Sequence, residues 1–191
     1  MRLRVTFFAL LLVGACHQAP ASSLVTCEAR LPPSLLAALL KEFPAYRVAA
    51  LSDYLEADVE RHKLNSNGDS CPSIASADVD GDGFADFAAV IVDGSHHALL
   101  VAAQNLAVRW RITLLRDLGN EQPLRTGVDP LPAGSYANAH LAEGTSSGQA
   151  QALRVKRYLA PNPGFVAGAI EAPGNAFFFT GKRWIRLRLP D

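Results

Sequence analysis

Hydrophobic residues are spread unevenly along this chain, and their spacing changes character twice. After Arg2 and Arg4 comes an unbroken apolar run from Phe7 to Val13, too short for a bilayer span, which takes about 20 apolar residues. Further on the spacing turns helical: Leu35, Leu36, Leu39, Leu40 and Phe43 form one stripe, Pro32-Pro33 can open the helix and Pro44 stops it. Ser52 can cap a second helix that sets Leu55 and Val59 on one face and Glu56, Glu60 and Arg61 on the other. From Ile74 onward the runs become branched and aromatic. Phe87 to Val92, Ala98 to Ala103 and Val108 to Leu115, separated by Asp93-Gly94 and Asn105, read as three strands of an antiparallel meander. The first two are nearly all apolar, which predicts central strands covered on both faces. Leu118 to Gly148 is rich in Gly, Pro, Asn and Ser, and reads either as hidden short strands or as a long functional loop. Strands resume at Ala152 to Leu159 and Phe165 to Ile170, and a last hairpin, Ala176 to Phe179 and Trp184 to Leu189, turns on Thr180-Gly181-Lys182. Helices first and strands afterwards predict an α+β fold, with N-terminal helices packed on a mainly antiparallel β-sheet. No internal repeat is visible.

The charged start, short apolar run and small residues Gly14 and Ala15 have the make-up of an export signal. The tetrad Val13-Gly14-Ala15-Cys16 resembles a bacterial lipobox. That resemblance implies cleavage before Cys16, acylation of the cysteine and a lipid-anchored protein, the multiple chains making the anchor firm. His17 stands where inner-membrane lipoproteins usually carry Asp, which implies sorting to the outer membrane, facing the periplasm. The expected organisation is a signal peptide over 1–15, a lipidated tether over 16–26 with a reach of roughly 18 Å, and one domain over 27–191.

Composition adjusts this picture in two places. Cleavage leaves 176 residues with 16 basic and 18 acidic side chains, enough for one domain with a core and no general argument for nucleic acid. The charge is uneven: Asp53 to Asp86 is mostly acidic, whereas the last forty residues hold Arg154, Lys156, Arg157, Lys182, Arg183, Arg186 and Arg188 against Glu171 and Asp191. That basic group fits the solvated side of edge strands or a surface for an acidic partner. With Cys16 assigned to lipid, Cys27 and Cys71 are an even pair in an oxidising compartment, and a disulfide is expected.

One segment carries clear chemistry. Asp78-Val79-Asp80-Gly81-Asp82-Gly83-Phe84-Ala85-Asp86 sets carboxylates at positions 1, 3, 5 and 9, glycine at 6 and a backbone carbonyl, that of Phe84, at 7. Oxygen ligands at this spacing wrap a hard cation, and the larger Ca2+ suits a chain-wrapped cage better than Mg2+. Position 12 is Ala89 rather than a bidentate Glu, and the flanks read as strands. The loop therefore departs from an EF-hand and resembles the strand-loop-strand calcium loops of FG-GAP and VCBS repeats. Only one copy is present, so the propeller of those families is not implied. Asp69 or the 118–148 segment could supply a further ligand.

The ordering of parts, with Phe43-Pro44, Leu51-Ser52-Asp53-Tyr54, the aspartate loop and the late Phe177-Phe178-Phe179-Thr180-Gly181-Lys182-Arg183-Trp184 hairpin, resembles small envelope lipoproteins of Gram-negative bacteria. Among these are periplasmic immunity proteins that block peptidoglycan-degrading effectors of type IV secretion in Xanthomonas-like bacteria. The resemblance implies a non-enzymatic inhibitor that binds a periplasmic protein. The rival expectation is an envelope hydrolase or glycan-binding module using residues 118–148. Gly144 to Gly148 fits GxSxG around Ser146, yet its flanks supply neither strand nor helix. His96 and His97 are adjacent and would point to opposite faces of a strand, so a turn is expected there. His140 lacks a partner at any useful spacing.

Overall fold

The computed structural model describes residues 26–143, 153–170 and 174–189. The export signal, the Cys16 acylation site, all of the tether before Thr26 and the Gly144 to Gly148 segment with Ser146 lie outside the described residues.

The chain is built from strands: 48% of it is strand and 19% helical. This overturns the expected α+β fold of helices packed on one sheet. Among the described residues, eleven strands divide into two antiparallel sheets. In the first, β3 (Asp86–Asp93) pairs with β4 (His97–Asn105), and β4 pairs with β5 (Trp110–Asn120). The other edge of β3 is shared by two short strands, β1 (Tyr46–Val48) beside its end and β2 (Ile74–Ala77) beside its start. The second sheet has the order β6 (Thr126–Leu131), β9 (Gly164–Ala169), β10 (Asn175–Phe179), β11 (Trp184–Arg188), β7 (Gly134–Glu143) and β8 (Leu153–Ala160).

The core explains the division. Ala88, Val90 and Val92 of β3 and Ala98, Leu100 and Ala102 of β4 form one cluster with Val128, Phe165, Ala167, Phe177, Phe179 and Trp184 of the second sheet. Alternation along each strand sends these residues to one face, and the large rings of the second sheet fill the space between the sheets. Burying such a side chain contributes about 2–3 kcal/mol. The opposite faces of β3 and β4 carry Ala89, Ile91, Leu99, Val101 and Ala103 and share a second cluster with Leu35 and Leu39 of helix α1 (Pro33–Glu42). Both strands are thus covered on both faces, as their apolar runs predict. Helix α2 (Glu56–Asn65) makes no comparable layer, because His62 is its only buried residue. One short helix and a mostly polar one cannot cover a sheet of this width; a second sheet does.

Within the segment 118–148, read as hidden strands or a functional loop, the described residues form the end of β5, then β6 and all of β7. A disulfide joins Cys27 to Cys71 with their Cα atoms 5.5 Å apart, as the cysteine count predicts. It ties the turn Cys27–Arg30 to the chain entering β2. Beside it Arg30 pairs with Asp69, and Asp69 also accepts the Cys71 N–H at 2.8 Å.

Candidate metal centre

The aspartate segment is the connection between β2 and β3. Asp78 organises it. Its carboxylate accepts the N–H of Gly81 at 2.7 Å, of Asp82 at 3.1 Å and of Gly83 at 2.9 Å. A chain that folds back so tightly needs left-handed backbone, and Gly81 and Gly83 supply it with φ of 78° and 87°.

Asp78, Asp80 and Asp86 converge: one carboxylate oxygen from each lies within 4.8 Å of the others. That separation is what oxygens on opposite sides of one ion reach at about 2.4 Å per bond, so these three residues could hold a metal ion. Of the other two predicted ligands, Asp82 lies outside this group and accepts the N–H of Phe84 at 2.9 Å. Phe84 as a whole is 47% exposed. Asp69 is engaged elsewhere, with Arg30 and Cys71.

Asp86 is fully buried. It is held by the N–H of Val79 at 2.9 Å on one oxygen and of Asn105 at 2.7 Å on the other. Burial pushes its pKa up to about 6 against those two hydrogen bonds, with the charges of Asp80 and Asp82 adding to the rise. Burial also raises the pKa of Asp80, and the neighbouring Asp82 charge acts in the same direction. Both groups are therefore in an environment that a bound cation would relieve.

Two residues at this site could not be found by local spacing. Gln104, near the end of β4, donates from Nε2 to Asp80 Oδ2 over 3.4 Å. Asn162, in the turn between β8 and β9, lies against Gly81, where an added Cβ would sit 3.1 Å from its Oδ1. The loop is thus flanked by both sheets. A contrast between two glycines tests this packing. Gly83→Ala faces open space and should cost only the backbone term, about 1 kcal/mol. Gly81→Ala adds the Asn162 contact and should cost about 2 kcal/mol, seen in thermal melts as a further fall of about 3 °C. Equal melting of the two variants would show that Asn162 exerts no constraint.

The other candidate residues are not brought together here. His96 occupies the turn after β3 with φ of 65°. His97 opens β4, where Asp117 Oδ1 lies 2.8 Å from its Nε2 and the Tyr46 hydroxyl 2.8 Å from its Nδ1. That arrangement fastens β1, β4 and β5 to one another. His140 is exposed on β7, opposite Arg188 of β11 and Arg154 of β8 in the register. Among the basic residues of the C-terminal stretch, Arg157 stands on the edge strand β8, and Arg186 and Arg188 stand on β11, which is internal to its sheet. Comparison with family models, curated proteins and solved structures finds no match, so any functional reading rests on the site itself.

Proposed function

We propose that this chain is an exported, lipid-anchored module of the bacterial envelope that holds a structural calcium ion and acts by binding a periplasmic protein, inhibiting a peptidoglycan-degrading enzyme as an immunity protein does. The observation that carries the cation is the convergence of Asp78, Asp80 and Asp86 on a loop flanked by both sheets. Calcium is favoured by the donor set, which is all oxygen and wrapped by one chain segment. A structural rather than catalytic ion is favoured because a sizeable cleft among the described residues shares no residue with it. That cleft, of about 520 Å³, is lined instead by Arg30, Asn65, Asn67, Asp69, Phe87 and Asp129 among others. The Cys27–Cys71 bridge supports an oxidising compartment.

Calcium at a hundredfold excess over its dissociation constant should stabilise the chain by about 2.7 kcal/mol. Asp80→Ala combined with Asp82→Ala should abolish the difference between melts in calcium and in chelator. A double variant that still responds to chelator as the parent does would remove the loop from consideration. For the partner, affinity capture from periplasm of the source bacterium or its competitors should recover a peptidoglycan hydrolase whose turnover the purified chain suppresses. Recovery of hydrolases that the chain leaves fully active would rule out inhibition.

A second reading has its own observation. The cleft sets two amides, two hydroxyls and one aromatic ring beside Arg30, Asp69 and Asp129, polar and stacking groups of the kinds that hold a sugar, and Asp129 and Pro130 bring the 118–148 segment to it. Binding of soluble muropeptides that is lost in Asp129→Ala, with the calcium response intact, would favour a glycan-binding module.

A further inference from the structure

We propose that Gln104 is a direct oxygen ligand of the cation, so that the ion ties strand β4 to the β2–β3 loop. This rests on the cation reading above and extends its ligand set beyond the aspartate segment.

Gln104 continues the row Ala98, Leu100 and Ala102 that faces the second sheet, and it is only 1% exposed. An amide in such a position costs free energy unless both its polar atoms are satisfied. Here Oε1 is buried with no hydrogen-bond partner among the described residues. The other atom, Nε2, reaches Asp80 Oδ2 over 3.4 Å, a long and weak contact by the usual standard of about 2.9 Å. An unmet acceptor of this kind costs about 1–3 kcal/mol, whereas an apolar side chain of similar volume would carry no such cost.

A cation accounts for the arrangement. The terminal torsion of glutamine is broad, so rotation about χ3 exchanges the two amide atoms, giving up the long Nε2 contact to Asp80 for an ion–Oε1 bond and leaving Nε2 where Oε1 now lies. Two oxygens bound at right angles to one ion at about 2.4 Å stand about 3.4 Å apart, which is the separation between the Gln104 amide and Asp80. The amide adds an oxygen without adding a negative charge to a site that already gathers three carboxylates. Because Asn105, the next residue, donates its N–H to Asp86, the same stretch of β4 would meet the ion through two routes, one direct and one through a ligand's other oxygen.

The test uses the full chain in detergent, titrated with calcium by calorimetry and followed by the side-chain carbonyl resonance of Gln104. The parent should bind calcium and the Gln104 Cδ shift should move on binding. Gln104→Leu should bind at least about tenfold more weakly, yet melt no lower than the parent in chelator, since an unsatisfied polar atom has been removed. Gln104→Glu should bind more tightly, because it adds a carboxylate; it also keeps the test available should the leucine variant fail to fold. Unchanged affinity in Gln104→Leu together with an unmoved Cδ shift would overturn the ligand assignment while leaving the cation reading standing. A parent chain that binds no calcium would overturn the cation reading and this inference with it.

Discussion

Asp86→Ala is expected to lower the stability of the metal-free chain by about 4 kcal/mol. The substitution strips the partner from two N–H groups at once, those of Val79 and Asn105. Each donor left unmet away from water costs about 1–3 kcal/mol. In a domain of this size the loss should appear as a fall in Tm of about 10 °C in chelator. Asp86→Asn keeps one carbonyl acceptor and should lie between parent and alanine variant. Neither variant should regain stability on addition of calcium, because the carboxylate that β3 contributes to the cluster is gone. An alanine variant that melts with the parent in chelator would mean that these backbone groups find other partners, and that Asp86 is not the hinge between loop and sheet.

Loss of the Cys27–Cys71 bridge is expected to cost a similar amount by a different route. The bonded residues are 44 apart in sequence, and closing a loop of that length removes about 4 kcal/mol of chain entropy from the unfolded state. Both cysteines are buried among Leu31, Leu35 and Ile74, so the bridge also holds the N-terminal turn and helix α1 on the outer face of β3 and β4. Urea unfolding with and without reductant, and of the Cys27→Ala, Cys71→Ala chain, should show the loss. A difference under about 1 kcal/mol would indicate that packing of α1 alone organises this face. The two predictions are separable: the bridge acts through the unfolded chain and should not alter the calcium response, whereas Asp86 acts at the ion.

The parts of the site that were legible beforehand are those whose geometry is local. Alternating Asp and Gly residues over nine positions specify a tight loop, because the Asp78 carboxylate needs backbone N–H groups only three to five residues away and glycine alone takes positive φ freely. Equivalence among the aspartates does not follow from spacing. Asp82 accepts from Phe84 instead of joining the cluster, a choice made by the path of the loop. Gln104 and Asn162 were invisible, since a lone amide in an apolar strand or turn has no pattern that points to a loop 24 or some 80 residues distant.

The fold divides in the same way. Apolar runs marked β3 and β4 as doubly covered, and proline and leucine spacing placed α1, because both signals arise within a few residues. β6 escaped notice because Gly127 and Pro130 lie inside it. They are tolerated because β6 is the edge strand of the described sheet, its outer side bonded through the Val128 N–H to the Pro72 carbonyl rather than to a paired strand. What covers the inner face of β3 and β4 was decided only in three dimensions. The strand pattern of Phe165, Phe177, Phe179 and Trp184 is equally compatible with lengthening the first sheet or with forming a second. Pairing β10 with β9 and β11, away from β4 and β5, turns those rings onto the first sheet and buries them. Local sequence determined α1, the strands β3 and β4, the disulfide pair and the loop that could take an ion; long-range burial decided the two-sheet fold and the residues that meet the loop from outside it.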